Sequence, residues 1–181
     1  MRKVKWVLLI IVSVMLLTSP DANAEFVVED KETLRGIKAI FVAIESIRPE
    51  AEGYGLTQDK ILSDVELKLK RAGIKVLSKE EWLKTTGSPR LYININQIYN
   101  NQVSAFVCDM NVNFNQKVYL ETNPGVSCMA TTWWTSATGI VGGKEMEEKV
   151  RGTIKEQIDL FLNDYLAVNL RKKSNKPQGG I

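Results

Sequence analysis

Between Arg90 and Val141 apolar and polar residues alternate almost without interruption, and a period of two is met only by pleated strands. The stretch divides into three segments, RLYININQIY, QVSAFVCDMNVNFNQKVYLE and VSCMATTWWTSATGIV, and predicts an antiparallel meander. In the first segment Leu91, Ile93 and Ile95 face one way, and Tyr92, Asn94 and Asn96 the other. In the second, Phe106, Cys108, Met110, Val112 and Phe114 alternate with Asp109, Asn111, Asn113 and Asn115.

A two-residue turn at Asn100-Asn101 sets Ile95 opposite Phe106, Ile93 opposite Cys108 and Leu91 opposite Met110, since Asn tolerates the positive φ such a turn requires. A slip of one residue would oppose isoleucine to asparagine along the whole ladder. The second hairpin is expected to turn through Glu121 to Gly125 by an odd loop. Trp134 then lies opposite Val112 on the apolar face, and Trp133 opposite Asn113 on the polar face. The polar face is rich in amides, hydroxyls and rings and poor in charge. It reads either as a solvated outer surface or as a docking surface for a glycan, a partner strand or a second copy, with Tyr92, Asn94, Asn111, Asn113 and Trp133 as its contacts, a composition found at interfaces.

The flanks predict the rest of the fold. Glu25 to Arg35 is unperiodic and reads as an extended lead-in. Gly36 to Ile44 is a nearly continuous apolar run, the pattern of an interior strand. A loop of about a dozen residues follows. Thr57 then caps a helix to Ala72, stopped by Gly73. Ile74 to Leu77 forms a short strand parallel to the first through a right-handed crossover. Ser78 with Glu81 makes a capping box for a brief helix, and a long one-sided helix runs from about Lys144 to Asn169. The expected class is α+β, a two-layer sandwich. Its mixed sheet has about five strands, mostly the meander, with two long helices on one face.

The chain opens with Arg2, Lys3 and Lys5, an apolar run of 12 residues from Trp6 to Leu17, and Ala22-Asn23-Ala24. That order predicts a secretory signal peptide over 1–24, cleaved after Ala24. A membrane-spanning helix needs about 20 apolar residues. No stable membrane insertion is therefore expected after cleavage, and the mature chain should be periplasmic or secreted. It should form one α/β domain over 25–170 with a disordered tail over 171–181. No cysteine follows the apolar run, so no lipid attachment site of the bacterial lipoprotein kind is expected.

Without the signal segment, 21 basic residues stand against 20 acidic ones, a balance that argues against nucleic acid as a partner. There is no histidine, which removes Ser-His and Cys-His dyads and the usual zinc sets. The expected register sets Cys108 about ten positions, roughly 30 Å, from Cys128, beyond disulfide reach. Both are expected to be buried and free. Gly139 to Lys144 lies where a phosphate loop would sit, but Thr138 and Glu145 break the Walker pattern. The glycines there are expected to let the chain turn from sheet to helix. Glu80 and Glu81, with Glu145, Glu147 and Glu148, stand at helix starts, where the macrodipole favours them. The expectation is therefore no enzyme, no cofactor and no metal.

The segments LRGIKAIFVAIE, GLTQDKILSDVELKLKRAGIKVLS with EEWL, PRLYININ and TTWWTSATGIVG resemble a family of small exported bacterial proteins. That resemblance covers most of the mature chain and brings no catalytic residues with it. The order strand, helix, strand, meander, helix is also similar to the α/β module of envelope proteins, including the amino-terminal domain of TolB and the curli secretion lipoprotein. This second likeness implies a role played through protein partners in the envelope, although the chain lacks the lipidated cysteine of the curli protein. The partner expected is an envelope protein, bound through the open sheet face or an edge strand, with a glycan or small molecule on the same aromatic and amide face as the alternative.

Overall fold

The structure, a computed structural model, describes residues 30–170. The signal segment and the tail lie outside the described residues. The first described residues form a 3-10 turn, Asp30–Leu34, rather than an extended lead-in, because Leu34 is fully buried and anchors it to the core. The first strand β1 (Ala39–Ile44) is followed by the short helix α1 (Pro49–Glu52), which falls within the expected loop. Next come α2 (Gln58–Arg71), β2 (Lys75–Val76) and α3 (Lys79–Lys84). The meander is β3 (Arg90–Asn100), β4 (Ala105–Leu120) and β5 (Asn123–Gly142), and α4 (Met146–Asn169) ends the fold.

The five strands make one mixed sheet in the order β2-β1-β3-β4-β5. β1 is parallel to both neighbours, while β3, β4 and β5 are antiparallel to one another. The chain is an α+β sandwich. Both long helices cover one face, burying Ile61, Val65 and Leu69 of α2, and Val150, Ile154, Ile158 and Phe161 of α4, in the same core as Leu91, Ile93, Cys108, Val112 and Phe114. Between the helices Lys60 pairs with Glu147 at 2.9 Å, Asp64 with Arg151 at 2.7 Å, and Lys68 with Asp159. Residue numbers in these pairs rise together, so the two helices run parallel.

The helix starts follow local chemistry. Thr57 accepts a bond from the amide of Lys60, and Gly73 takes φ +79° beyond the end of α2. Both bonds of the Ser78–Glu81 capping box are made. The chain leaves β5 for the last helix at Gly142-Gly143, and neither residue has a positive φ. Gly143 is also a close-approach site. A Cβ there would stand 2.5 Å from Cε1 of Tyr54, whose ring packs edge-on against Phe106 with centroids 5.6 Å apart.

The faces of β3 and β4 are those expected, but the register is not. Asn100 pairs with Ala105, leaving a four-residue loop, Asn101 to Ser104, in place of the two-residue turn. Asn100 Oδ1 accepts from the amides of Gln102 and Val103 at 2.9 and 3.4 Å, and Ser104 adopts φ +47°. Ile95 therefore meets Met110, Ile93 meets Val112, and Leu91 meets Phe114. The ladder has moved by four residues, an even number, which changes every partner and no face.

The second hairpin departs further. Its tip is tight, with Leu120 opposite Asn123, and Asn115 to Tyr119 pair with Thr131 to Ser127 as the odd loop predicts. Between Asn115 and Phe114 the register shifts by one, leaving Thr132 as the extra residue of a bulge. Beyond it Phe114 meets Trp133, and Asn113 meets Trp134. The bulge exchanges the two tryptophans: Trp133 turns into the core at 4% exposure, and Trp134 outward at 61%. Cys108 is buried as expected. Cys128 is exposed, because its rung lies on the part of the β4–β5 hairpin that extends past the end of β3.

Candidate functional site

The candidate site is the outer face of the sheet, opposite α2 and α4. Registers on both sides of β4 arrange its side chains in rows across the strands. Ala43, Tyr92, Asn113 and Trp134 form one row, followed by Asn94, Asn111 and Ser136. Then come Asn96, Asp109 and Thr138, and finally Ile98, Val107 and Ile140. Four of the five expected contact residues, Tyr92, Asn94, Asn111 and Asn113, thus lie together in two adjacent rows. Trp133 does not join them, because the bulge carries it under the sheet, where its indole Nε1 donates to Asp164 of α4 at 2.8 Å. Trp134 occupies the place expected for it.

The middle rows are tied together by hydrogen bonds among their own side chains. Asn96 donates to Asn94 at 2.8 Å. Asp109 accepts from Asn111 at 2.8 Å and from Thr138 at 3.0 Å. Those donors, Asn111 first and Thr138 next, hold the Asp109 carboxyl below its ordinary value and keep a fixed negative charge near the centre of the face. Tyr92 donates to Glu45 at 3.0 Å, and burial followed by that bond pushes its phenol up.

The β1 end of this face is roofed. Trp82 of α3 stacks on Phe41 with centroids 5.1 Å apart, and the Arg90 guanidinium lies 5.7 Å from the Trp82 ring and 5.3 Å from the Tyr92 ring. Arg90 is held between two aromatic rings, and among the described residues its buried Nε has no hydrogen-bond partner. The opposite end is apolar and open, with Ile98, Val107 and Ile140 exposed by 66%, 43% and 78%. That row was not legible in the sequence, because a register wrong by four residues separates its members.

Trp134 could have been found. Counted forward from the turn, Trp133 falls on the polar face; counted back from the apolar Val141, it falls in the core. Two parities that disagree within one strand mark an odd insertion between the two ends.

Amides, hydroxyls and rings outnumber charged groups on this face. Among the described residues no three carboxylates or thiols gather as a metal would require. Asp109 has amide and hydroxyl neighbours but no second acid opposite it in its row. Elsewhere, a cleft of about 470 Å³ is lined by Tyr54, Lys144, Glu147, Arg151 and Lys155, of which the last three pair with Lys60 or Asp64 of α2. Among the described residues no helix is long and apolar enough to cross a membrane.

No protein-family model matches the chain, and no curated protein sequence does. Among solved structures, a minor lipoprotein from Acinetobacter baumannii is similar over 74% of this chain and 93% of its own, at 10% identity and a TM-score of 0.36. PelC from Paraburkholderia phytofirmans, solved as a dodecamer in two crystal forms, is similar over 72% of this chain and 88–89% of its own. Its identity is 14%, with TM-scores of 0.40 and 0.38. These are loose likenesses of chain course, and the reading of the site rests on its own residues.

Proposed function

We propose that this protein is a non-enzymatic interaction module of the bacterial cell envelope that holds a protein partner against the outer face of its sheet. One observation carries the reading: Trp134 and the Ile98–Val107–Ile140 row stand exposed at two sides of an amide-lined platform. Apolar side chains gathered on one face and rimmed by polar groups are the usual mark of an interaction surface. The basic, apolar and small-residue order of the first 24 residues supports an exported location.

The test is capture of partners from crosslinked envelope with tagged protein carrying Trp134→Ala or Val107→Glu. A specific protein lost with both variants, and retained with a Leu67→Ala control on the exposed flank of α2, is the expected result. Equal capture by all three would overturn the reading. A second reading, a glycan-binding face, is favoured by the exposed indole of Trp134 beside Asn113, since a ring stacks on a sugar's C–H face while amides bind hydroxyls. Retention on peptidoglycan fragments that depends on Trp134, with no protein captured, would select it.

A further inference from the structure

Among the described residues β5 is an edge strand, paired with β4 on one side and with no strand on the other. Gly143 N donates to Ser104 O at 3.2 Å at the end of this ladder. Antiparallel bonding alternates, so the odd-numbered residues of the strand's second half turn their backbone groups toward β4 and the even-numbered ones turn theirs outward. At Thr132 the outward carbonyl is already taken by Thr33 Oγ1 at 3.0 Å. From there on, among the described residues, the backbone groups of Trp134, Ser136, Thr138 and Ile140 bond to no other element. Exposed edges are normally blunted by charges, prolines or bulges. Between Asn123 and Gly142 there is no Asp, Glu, Lys or Arg; Pro124 sits near the hairpin tip, and the bulge lies at Thr132. The stretch Trp134–Ile140 has none of these protections.

We propose that this edge seats a second copy of the chain, the two β5 strands pairing antiparallel about a two-fold axis at Ala137. In that register Trp134 lies opposite Ile140 of the second copy, and Ser136 opposite its Thr138, each pair occurring twice. The two most exposed large apolar side chains of β5 are covered together, on one face. Outward-turned residues pair only with outward-turned ones, so the register can slip only by even steps. A slip of two opposes Trp134 to Thr138 or to Gly142 and loses the apolar pairing. The strand is uncharged, so no like charges meet when identical surfaces approach, as a two-fold contact requires. Leu160, exposed on α4 beside Trp134, adds apolar surface beneath the edge. The backbone pairing uses the edge of the sheet but covers Trp134 and Ile140 of the outer face, so second copy and partner compete for those two side chains; the oligomeric state tests the first and partner capture with Val107→Glu the second.

The test uses the mature chain with the exposed Cys128 changed to Ser. Ala137 falls at a non-hydrogen-bonded rung, where Cα atoms stand about 4.5 Å apart, within disulfide range. Ala137→Cys should oxidise to a covalent dimer holding most of the chain. Gly139→Cys should not, since its copy lies four residues, about 13 Å, away along the pair; a Cβ at Gly139 meets nothing within 4 Å. Ser136→Pro removes an outward N–H and spares the β4 ladder, so it should leave the thermal transition in place and reduce the dimer seen by light scattering to monomer. Three results would each overturn the proposal: a monomer at 100 μM (roughly the top of the working range) with no Ala137→Cys crosslink, equal crosslinking at both cysteine positions, or a dimer that survives Ser136→Pro.

Discussion

The indole nitrogen of Trp133 donates to Asp164 Oδ2 at 2.8 Å, joining the bulged edge strand to the last helix across 31 residues of sequence. The ring also packs edge-on against Phe161, with centroids 5.2 Å apart. Trp133→Ala should therefore cost about 3–5 kcal/mol, as loss of a large buried ring does, and Trp133→Phe about 1–2 kcal/mol for the lost bond. Trp134→Ala should stay within about 0.5 kcal/mol. Urea unfolding of the three variants measures the contrast. Equal losses at the two tryptophans would place the bulge elsewhere.

Asp64 lies between Arg151 at 2.7 Å and Lys155 at 3.1 Å, and the Arg151 bond, the larger influence, lowers its carboxyl below the ordinary value. A carboxyl depressed in the folded state adds stability above its unfolded pKa, and that stability is lost as pH falls through the folded value. Asp64→Asn should lower stability by about 1–2 kcal/mol at pH 7. As pH falls below the ordinary Asp value, the melting curves of variant and parent should draw together. A constant gap down to pH 2 (about two units below an ordinary Asp) would exclude the ion pair as the cause.

Gly143→Ala brings a Cβ into the Tyr54 ring, which must swing away from Phe106 and from its hydroxyl contact with Tyr99 at 3.1 Å. The cost should be about 1–2 kcal/mol. In a Tyr54→Ala background the same substitution should cost close to nothing, because the obstruction has gone. A full cost in both backgrounds would point to backbone strain at Gly143 instead.

Burial pushes the Cys108 thiol up, while Cys128 is exposed. A thiol reagent at pH 8 should label one cysteine per native chain and two after denaturation. Cys128→Ser should abolish the native reaction. Rapid labelling of both in the native protein would show that the core around Cys108 opens readily.

What the sequence determined alone was whatever depends on neighbours along the chain. The period of two in β3 and β4 assigned Leu91, Ile93, Val112 and Phe114 to the core, whichever rungs they share. The caps at Thr57 and Ser78 needed only residues three positions on. The platform of Tyr92, Asn94, Asn111 and Asn113 survived a register error because that error was even. Tertiary structure decided the quantities set by distant partners. Four residues rather than two close the first hairpin, and this lets Leu91 meet Phe114 in the same core as Phe161 of α4. The inserted residue at Thr132 answers to Asp164 and Phe161, both on a helix that begins after the strand has ended. Parity counted from the two ends of β5 disagrees about Trp133 and Trp134, and the bulge at Thr132, with Asp164 and Phe161 beneath the sheet, decides which of them is buried.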